Sequence, residues 1–170
     1  MASALLATYP DVFAGGAIVG GLPYGAARDA MGALSAMQSA PNRTPEEWAD
    51  LVRQVSPDAP RFPSISIWHG TADRVVSVSN AEASLSQWLA LHGCDPENGT
   101  LLPFDGGTRQ EWTDRSGGSV EIVTLDDFGH GVPIGSHAVG KAGASGENFM
   151  LPSVLSLADS LVDTWKLKKR

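Results

Sequence analysis

The sequence predicts an α/β fold, a parallel sheet flanked by helices, and three observations point there. FAGGAIVGG (13–21) is a short apolar run bounded by glycines that fits a strand buried on both faces, and PSISIWHG (63–70) and SVEIVTL (119–125) are further strand candidates. Helical stretches separate them, and strands that alternate with helices imply parallel neighbours joined by crossovers. At 170 residues and 42% hydrophobic content, the chain has the size of one domain with a conventional core.

Each element has a local reason. Residues 2–9 read as a short helix closed by Pro10 and Asp11, with no capping residue at its start. The run 13–21 is the first strand, and LPYGAARDAMGALSAM (22–37) is loop followed by helix. In Thr44-Pro45-Glu46-Glu47, the threonine caps a helix, proline suits its first position and Glu47 completes a capping box. That helix runs to about Val55 and breaks at Pro57, so residues 25–60 form a helical, cap-like insertion. After the strand 63–70, Asn80 is expected to cap a helix that Gly93 ends, with Leu85, Trp88 and Leu89 on one face.

Residues 97–118 are a variable insertion, and within 108–125 a hairpin turns at Arg115-Ser116-Gly117-Gly118. The final helix is expected to begin near Pro152 and to carry Val154, Leu157, Leu161 and Trp165 at helical spacing. Its last turn holds Lys166, Lys168, Lys169 and Arg170, cations that suit the negative end of a helix dipole.

Composition narrows the partners. A formal charge of −7 opposes nucleic acid or an anionic membrane as the main partner. No stretch approaches the ~20 apolar residues that span a bilayer. No basic segment precedes an apolar one at the start, so no signal peptide is legible and the compartment is unknown. Cys94 is the sole cysteine, which excludes an internal disulfide.

In open α/β sheets the functional groups collect beyond the carboxyl ends of the strands. Asp73, in IWHGTADRVV (67–76), and His130, in DDFGHGVPIG (126–135), each follow a strand by a short glycine-containing turn. A carboxylate beside a histidine fixes its tautomer and stabilises the imidazolium formed in acyl transfer. On spacing alone, the same two residues also read as a turn-capping aspartate and an ordinary loop histidine. His69, Asp73, Asp126, Asp127, His130 and His137 invite a metal reading. Zinc signatures place their ligands more tightly than these glycine-rich loops do, so no metal is expected. His69 is assigned to packing or the turn, and Trp68, Trp88 and Trp165 to core or pocket wall. Tyr24, just past a strand end, reads equally as a pocket-lining residue and as a packed loop tyrosine.

WHGTADRVV followed by a helix, and then DDFGHGVPIG, resembles the acid and histidine segments of α/β-hydrolases. The match is to the esterases named for polyhydroxybutyrate depolymerases, a family with feruloyl and acetyl xylan esterase-like members. ASALLATYPDVFAGGAIVGGLPYGAA (2–27) is similar to that family's segment after its nucleophile. The resemblance implies the C-terminal half of an α/β-hydrolase, truncated at the nucleophile-elbow helix. It also implies carboxylic ester hydrolysis by a serine mechanism without a cofactor, with His130 as general base and then acid and Asp73 as its orienter.

The family pattern further requires a G-x-S-x-G elbow, and the sequence has none. Gly143-Ala144-Ser145-Gly146-Glu147 comes nearest, with its second glycine misplaced and after the histidine. The expectation is that an ester substrate belongs to the intact enzyme, at a secreted or periplasmic address, and that this chain alone is inactive. The alternative is a non-catalytic fragment that associates with itself, or with an N-terminal partner, through Gly15–Val19. That strand would lose its neighbour if the first half of a parallel sheet were absent.

Overall fold

The computed structural model describes residues 1–135 and 149–167. Helix α1 (Ala2–Thr8) leads into β1 (Gly15–Val19), and α2 (Ala30–Gln38) and α3 (Pro45–Arg53) fill the connection to β2 (Ser64–Gly70). Helix α4 (Ser79–His92) then carries the chain to β3 (Thr100–Phe104), β4 (Gly107–Thr113) and β5 (Ser119–Leu125). Strands β6 (Val132–Gly135) and β7 (Met150–Ser153) and helix α5 (Leu157–Thr164) follow.

Five strands form one sheet in the order β1-β2-β5-β4-β3. The first three are parallel, as the alternation of strand and helix predicts. Strands β3 and β4 widen the sheet as an antiparallel extension. Strands β6 and β7 pair in parallel as a separate small sheet.

The alternation along β2 divides the core into two layers. Ile65 and Ile67 face one side, where they pack with Leu6 of α1, Ile18 of β1 and Trp88 and Leu89 of α4. Trp68 faces the other side, with Val123, Leu125 and Phe128, against Leu151, Leu155 and Leu157. A strand buried on both faces has no solvent side, so Ser66 and His69 are buried with the apolar residues, and Ser66 Oγ donates to Glu121.

The capping box on α3 forms as read: Glu47 N–H donates to Thr44 Oγ1 (3.2 Å), and Thr44 N–H donates to Glu47 Oε2 (2.8 Å). Gly93 ends α4 in the left-handed conformation, φ 62°.

Two expectations are corrected. Asn80 does not cap α4. The helix begins at Ser79, and Asn80 is buried within its first turn, where Nδ2–H donates to the Ala36 carbonyl of α2 (2.8 Å). A good local cap is here drawn into a tertiary cross-link. The last helix starts at Leu157, capped by Ser156, and not near Pro152. Residues 150–153 are extended because they pair with β6, a strand position that tolerates proline better than a helix interior does. Val154 therefore lies outside the helix and is exposed, whereas Trp165 packs against Gly15 of β1.

Helix α5 ends at Thr164, and Lys166 lies past its end. Lys168, Lys169, Arg170, His137 and the 143–147 segment lie outside the described residues. Among the described residues, no helix is long and apolar enough to cross a membrane.

Candidate active site

The loops after β2 and β5 are tied together by main-chain hydrogen bonds. Thr71 N–H donates to the Leu125 carbonyl (2.9 Å) and Ala72 N–H to the Phe128 carbonyl (3.0 Å). Asp127 N–H returns to Thr71 Oγ1 (2.9 Å). Gly70 permits this approach, since a Cβ there would be driven into the Phe128 carbonyl.

Asp73 projects from the first loop into this junction, and its side chain is 1% exposed. Oδ1 accepts from the Val75 and Val76 N–H groups, each at 2.8 Å, so the aspartate folds its own loop around itself. Oδ2 lies 2.8 Å from His130 Nδ1. Burial pushes the Asp73 carboxyl upward. The bonds from Val76 N–H, His130 and Val75 N–H outweigh it and hold the group below its ordinary value. The carboxylate is therefore ionised at neutral pH and can only accept.

His130 Nδ1 must then carry the proton, and in the neutral ring Nε2 holds a lone pair. No partner faces Nε2 among the described residues, and the side chain is 24% exposed. Phe149 meets the ring edge-on, with centroids 5.7 Å apart. At the end of β1, Gly20 has φ +51°, and a Cβ there would stand 3.0 Å from His130 Nδ1 and Cε1. The hollow around Asp73, bounded by Gly20, Trp68, His69, Gly70 and Phe128, leaves no space for a water molecule. Among the described residues, Nε2 is the one atom of the pair left without a hydrogen-bond partner. An open lone pair backed by a buried, ionised carboxylate can take a proton from an approaching hydroxyl while the carboxylate stabilises the resulting cation.

The residues singled out from sequence separate in space. Asp73 and His130 come together. Trp68 is fully buried, and its Nε1–H donates to Ser66 Oγ (2.7 Å). Tyr24 is held by its main chain: its N–H donates to Gln87 Oε1 (2.9 Å) and its carbonyl accepts from Gln87 Nε2 (3.0 Å). A neighbouring hollow of about 290 Å³ lies between the first turn of α1 and the end of β1, with Ala2, Ser3, Gly21 and Leu22 on its walls. Among the described residues, no group of three His, Cys, Asp or Glu side chains could hold a metal ion. Gly20, Phe149 and Gln87 escaped the sequence reading. A second glycine beside Gly21 was the one local sign of a special backbone position.

A family model described as esterase PHB depolymerase matches residues 1–113. The chain belongs to this family. The match includes Asp73, and His130 lies beyond it. Feruloyl esterase B of Talaromyces stipitatus is 36% identical over 141 residues, covering 78% of this chain and 39% of that protein. Poly(3-hydroxyalkanoate) depolymerase C of Paucimonas lemoignei is 34% identical over 151 residues, covering 85% and 36%. The chain thus spans less than half the length of these relatives. Among solved structures, an acetyl xylan esterase from Aspergillus awamori superposes with a TM-score of 0.68 at 22% identity, covering 76% of this chain and 49% of that one. That likeness places this member of the PHB depolymerase esterases in the same α/β fold.

Proposed function

We propose that these 170 residues supply the base and the orienting acid of a serine-type carboxylic ester hydrolase, and that the serine comes from a separate segment. His130 Nε2 would take the proton of the serine hydroxyl and return it to the leaving alcohol, and Asp73 would hold the ring and stabilise its cation. The carrying observation is the asymmetry of the His130 ring: Nδ1 is bonded to an ionised carboxylate, and Nε2 has no hydrogen-bond partner among the described residues. Carboxylic esters are the substrate class that the relatives' names support: a feruloyl esterase, a poly(3-hydroxyalkanoate) depolymerase and an acetylxylan esterase.

Hydrolysis of p-nitrophenyl acetate tests this reading. The chain alone is expected to match its His130→Ala variant. Supplied with a segment that carries a G-x-S-x-G elbow, it should gain turnover that His130→Ala lowers by about 10³-fold or more. Turnover by the unassisted chain that disappears in His130→Ala would overturn the division of labour.

A second reading is favoured by β1, which among the described residues occupies the sheet edge and pairs on one side only, with β2. An unpaired edge of this kind seeks a strand from a second copy or from an N-terminal partner. A concentration-independent monomer in light scattering would remove it.

A further inference from the structure

We propose that His69 is a positioning residue for the candidate base: it fixes the loop 71–76 in the shape that aims Asp73 at His130. The inference rests on the Asp73–His130 reading above and adds a third residue to it. His69 sits on β2, in register with Thr124 of β5, so its ring is anchored to the rigid centre of the sheet. Its side chain is 1% exposed, and Nε2 lies 3.0 Å from the Val76 carbonyl. A carbonyl only accepts, so Nε2 carries the proton and donates.

Val76 is thereby gripped at both main-chain groups. Its carbonyl is held by His69 and its N–H by Asp73 Oδ1 (2.8 Å). With Oδ1 engaged by Val75 and Val76, the other oxygen turns across to His130. His69 Nε2 also stands 3.7 Å from that oxygen, too far for a hydrogen bond and close enough for the N–H dipole to favour the carboxylate's charge.

The opposite side of the ring argues that this donor is the reason for the histidine. Nδ1 is buried with no hydrogen-bond partner among the described residues. An orphaned polar atom is a cost that a phenylalanine ring of similar shape would not incur. Packing alone would favour the apolar ring, so the gain lies at Nε2.

The test reads the tautomer of His130 by ¹⁵N–¹H imidazole spectroscopy on the full chain at neutral pH. Wild type should show protonation at Nδ1 and a downfield Nδ1–H resonance from the carboxylate bond. His69→Phe keeps the shape and removes the donor. It should lose the downfield resonance and populate both tautomers, with the far-ultraviolet circular dichroism unchanged. His69→Gln places an amide N–H near the original Nε2 position and should restore the wild-type pattern.

A wild-type pattern in His69→Phe, or its loss in His69→Gln, overturns the proposal. If His69→Phe does not fold, the glutamine variant decides on the same criterion. Absence of the Nδ1–H tautomer in the wild-type chain would instead remove the Asp73–His130 reading itself, before any variant is made.

Discussion

Two histidine–aspartate pairs lie at opposite ends of the sheet, and their contrast shows what makes one of them a candidate for chemistry. At the carboxyl ends of the parallel strands, His130 Nδ1 meets Asp73 Oδ2 at 2.8 Å. At the amino ends, His92 Nδ1 meets Asp114 Oδ2 at 2.6 Å. The near contact is alike in both; the far nitrogen differs. His92 Nε2 lies 3.1 Å from the Pro63 carbonyl, and the side chain is 2% exposed, whereas His130 Nε2 has no partner among the described residues and its side chain is 24% exposed. A carboxylate and a carbonyl both accept, so only the doubly protonated ring makes both His92 bonds at once. His92 is also the last residue of α4, where the helix dipole favours a cation. One pair is a clamp with no lone pair to offer; the other keeps one. A histidine–aspartate contact is thus no sign of catalysis until the second ring nitrogen is accounted for.

Breaking the clamp should give the largest effect. His92→Ala removes the link between α4, the β4–β5 turn and the segment before β2. It leaves Asp114, 12% exposed, without its charged partner. Removing one member of a buried ion pair costs roughly 3–5 kcal/mol, and the low end, about 3 kcal/mol, applies here. Asp114 Oδ1 keeps the Ser116 N–H, the Ser116 hydroxyl and the Gly118 N–H as donors. Urea unfolding reads this directly, and a loss under about 1 kcal/mol would mean that the pair is not a clamp.

Acid should sharpen the same contrast at a smaller size. Burial raises the Asp114 carboxyl, but the His92 bond and the Ser116 and Gly118 donors outweigh it and hold the group at about 2 against 3.8. A folded-state value below the unfolded one stabilises the fold above the unfolded value, and the contribution disappears as pH falls through the folded value. It is therefore complete above about pH 4 and lost towards pH 2, and it amounts to about 2 kcal/mol. Asp73 is shifted in the same direction and adds with the same sign. Stability measured from pH 5 downwards should fall less steeply in Asp114→Asn than in wild type. Parallel curves would show that the clamp carries none of the acid sensitivity.

The sequence disclosed whatever is local. The Thr44–Glu47 box forms because all its partners lie within one turn, and β2 was legible because a strand-length segment between Pro63 and Gly70 carries Ile65, Ile67 and Trp68. Asp73 and His130 were legible because strand ends followed by short glycine turns mark the catalytic edge of such sheets. What escaped depends on partners distant in sequence. His92 and Asp114 are 22 residues apart, with no motif to join them. Asn80 has the chemistry of a cap, and only the position of α2 turns it into a buried cross-link. Strands β3, β6 and β7 each contain a proline, Pro103, Pro133 and Pro152, which reads locally as an interruption. Pairing outweighs that signal at the periphery of a sheet.

The smallest effect on stability should come from the residue assigned the central chemical role. In His130→Ala, Asp73 keeps its two main-chain donors, and the ring removed is partly exposed and leaves a site that water can enter. Nε2 makes no bond within the described residues, so none is lost there. The expected cost is below about 1 kcal/mol, near the level of an ordinary partly exposed substitution. Urea unfolding of His130→Ala beside His92→Ala puts the two pairs on one scale. Equal losses would make both pairs clamps, and the open nitrogen would then have no claim to reactivity. A loss several-fold smaller at His130 would separate them on the ground that distinguishes their geometry: one ring is fully committed to holding the fold, and the other is held by it.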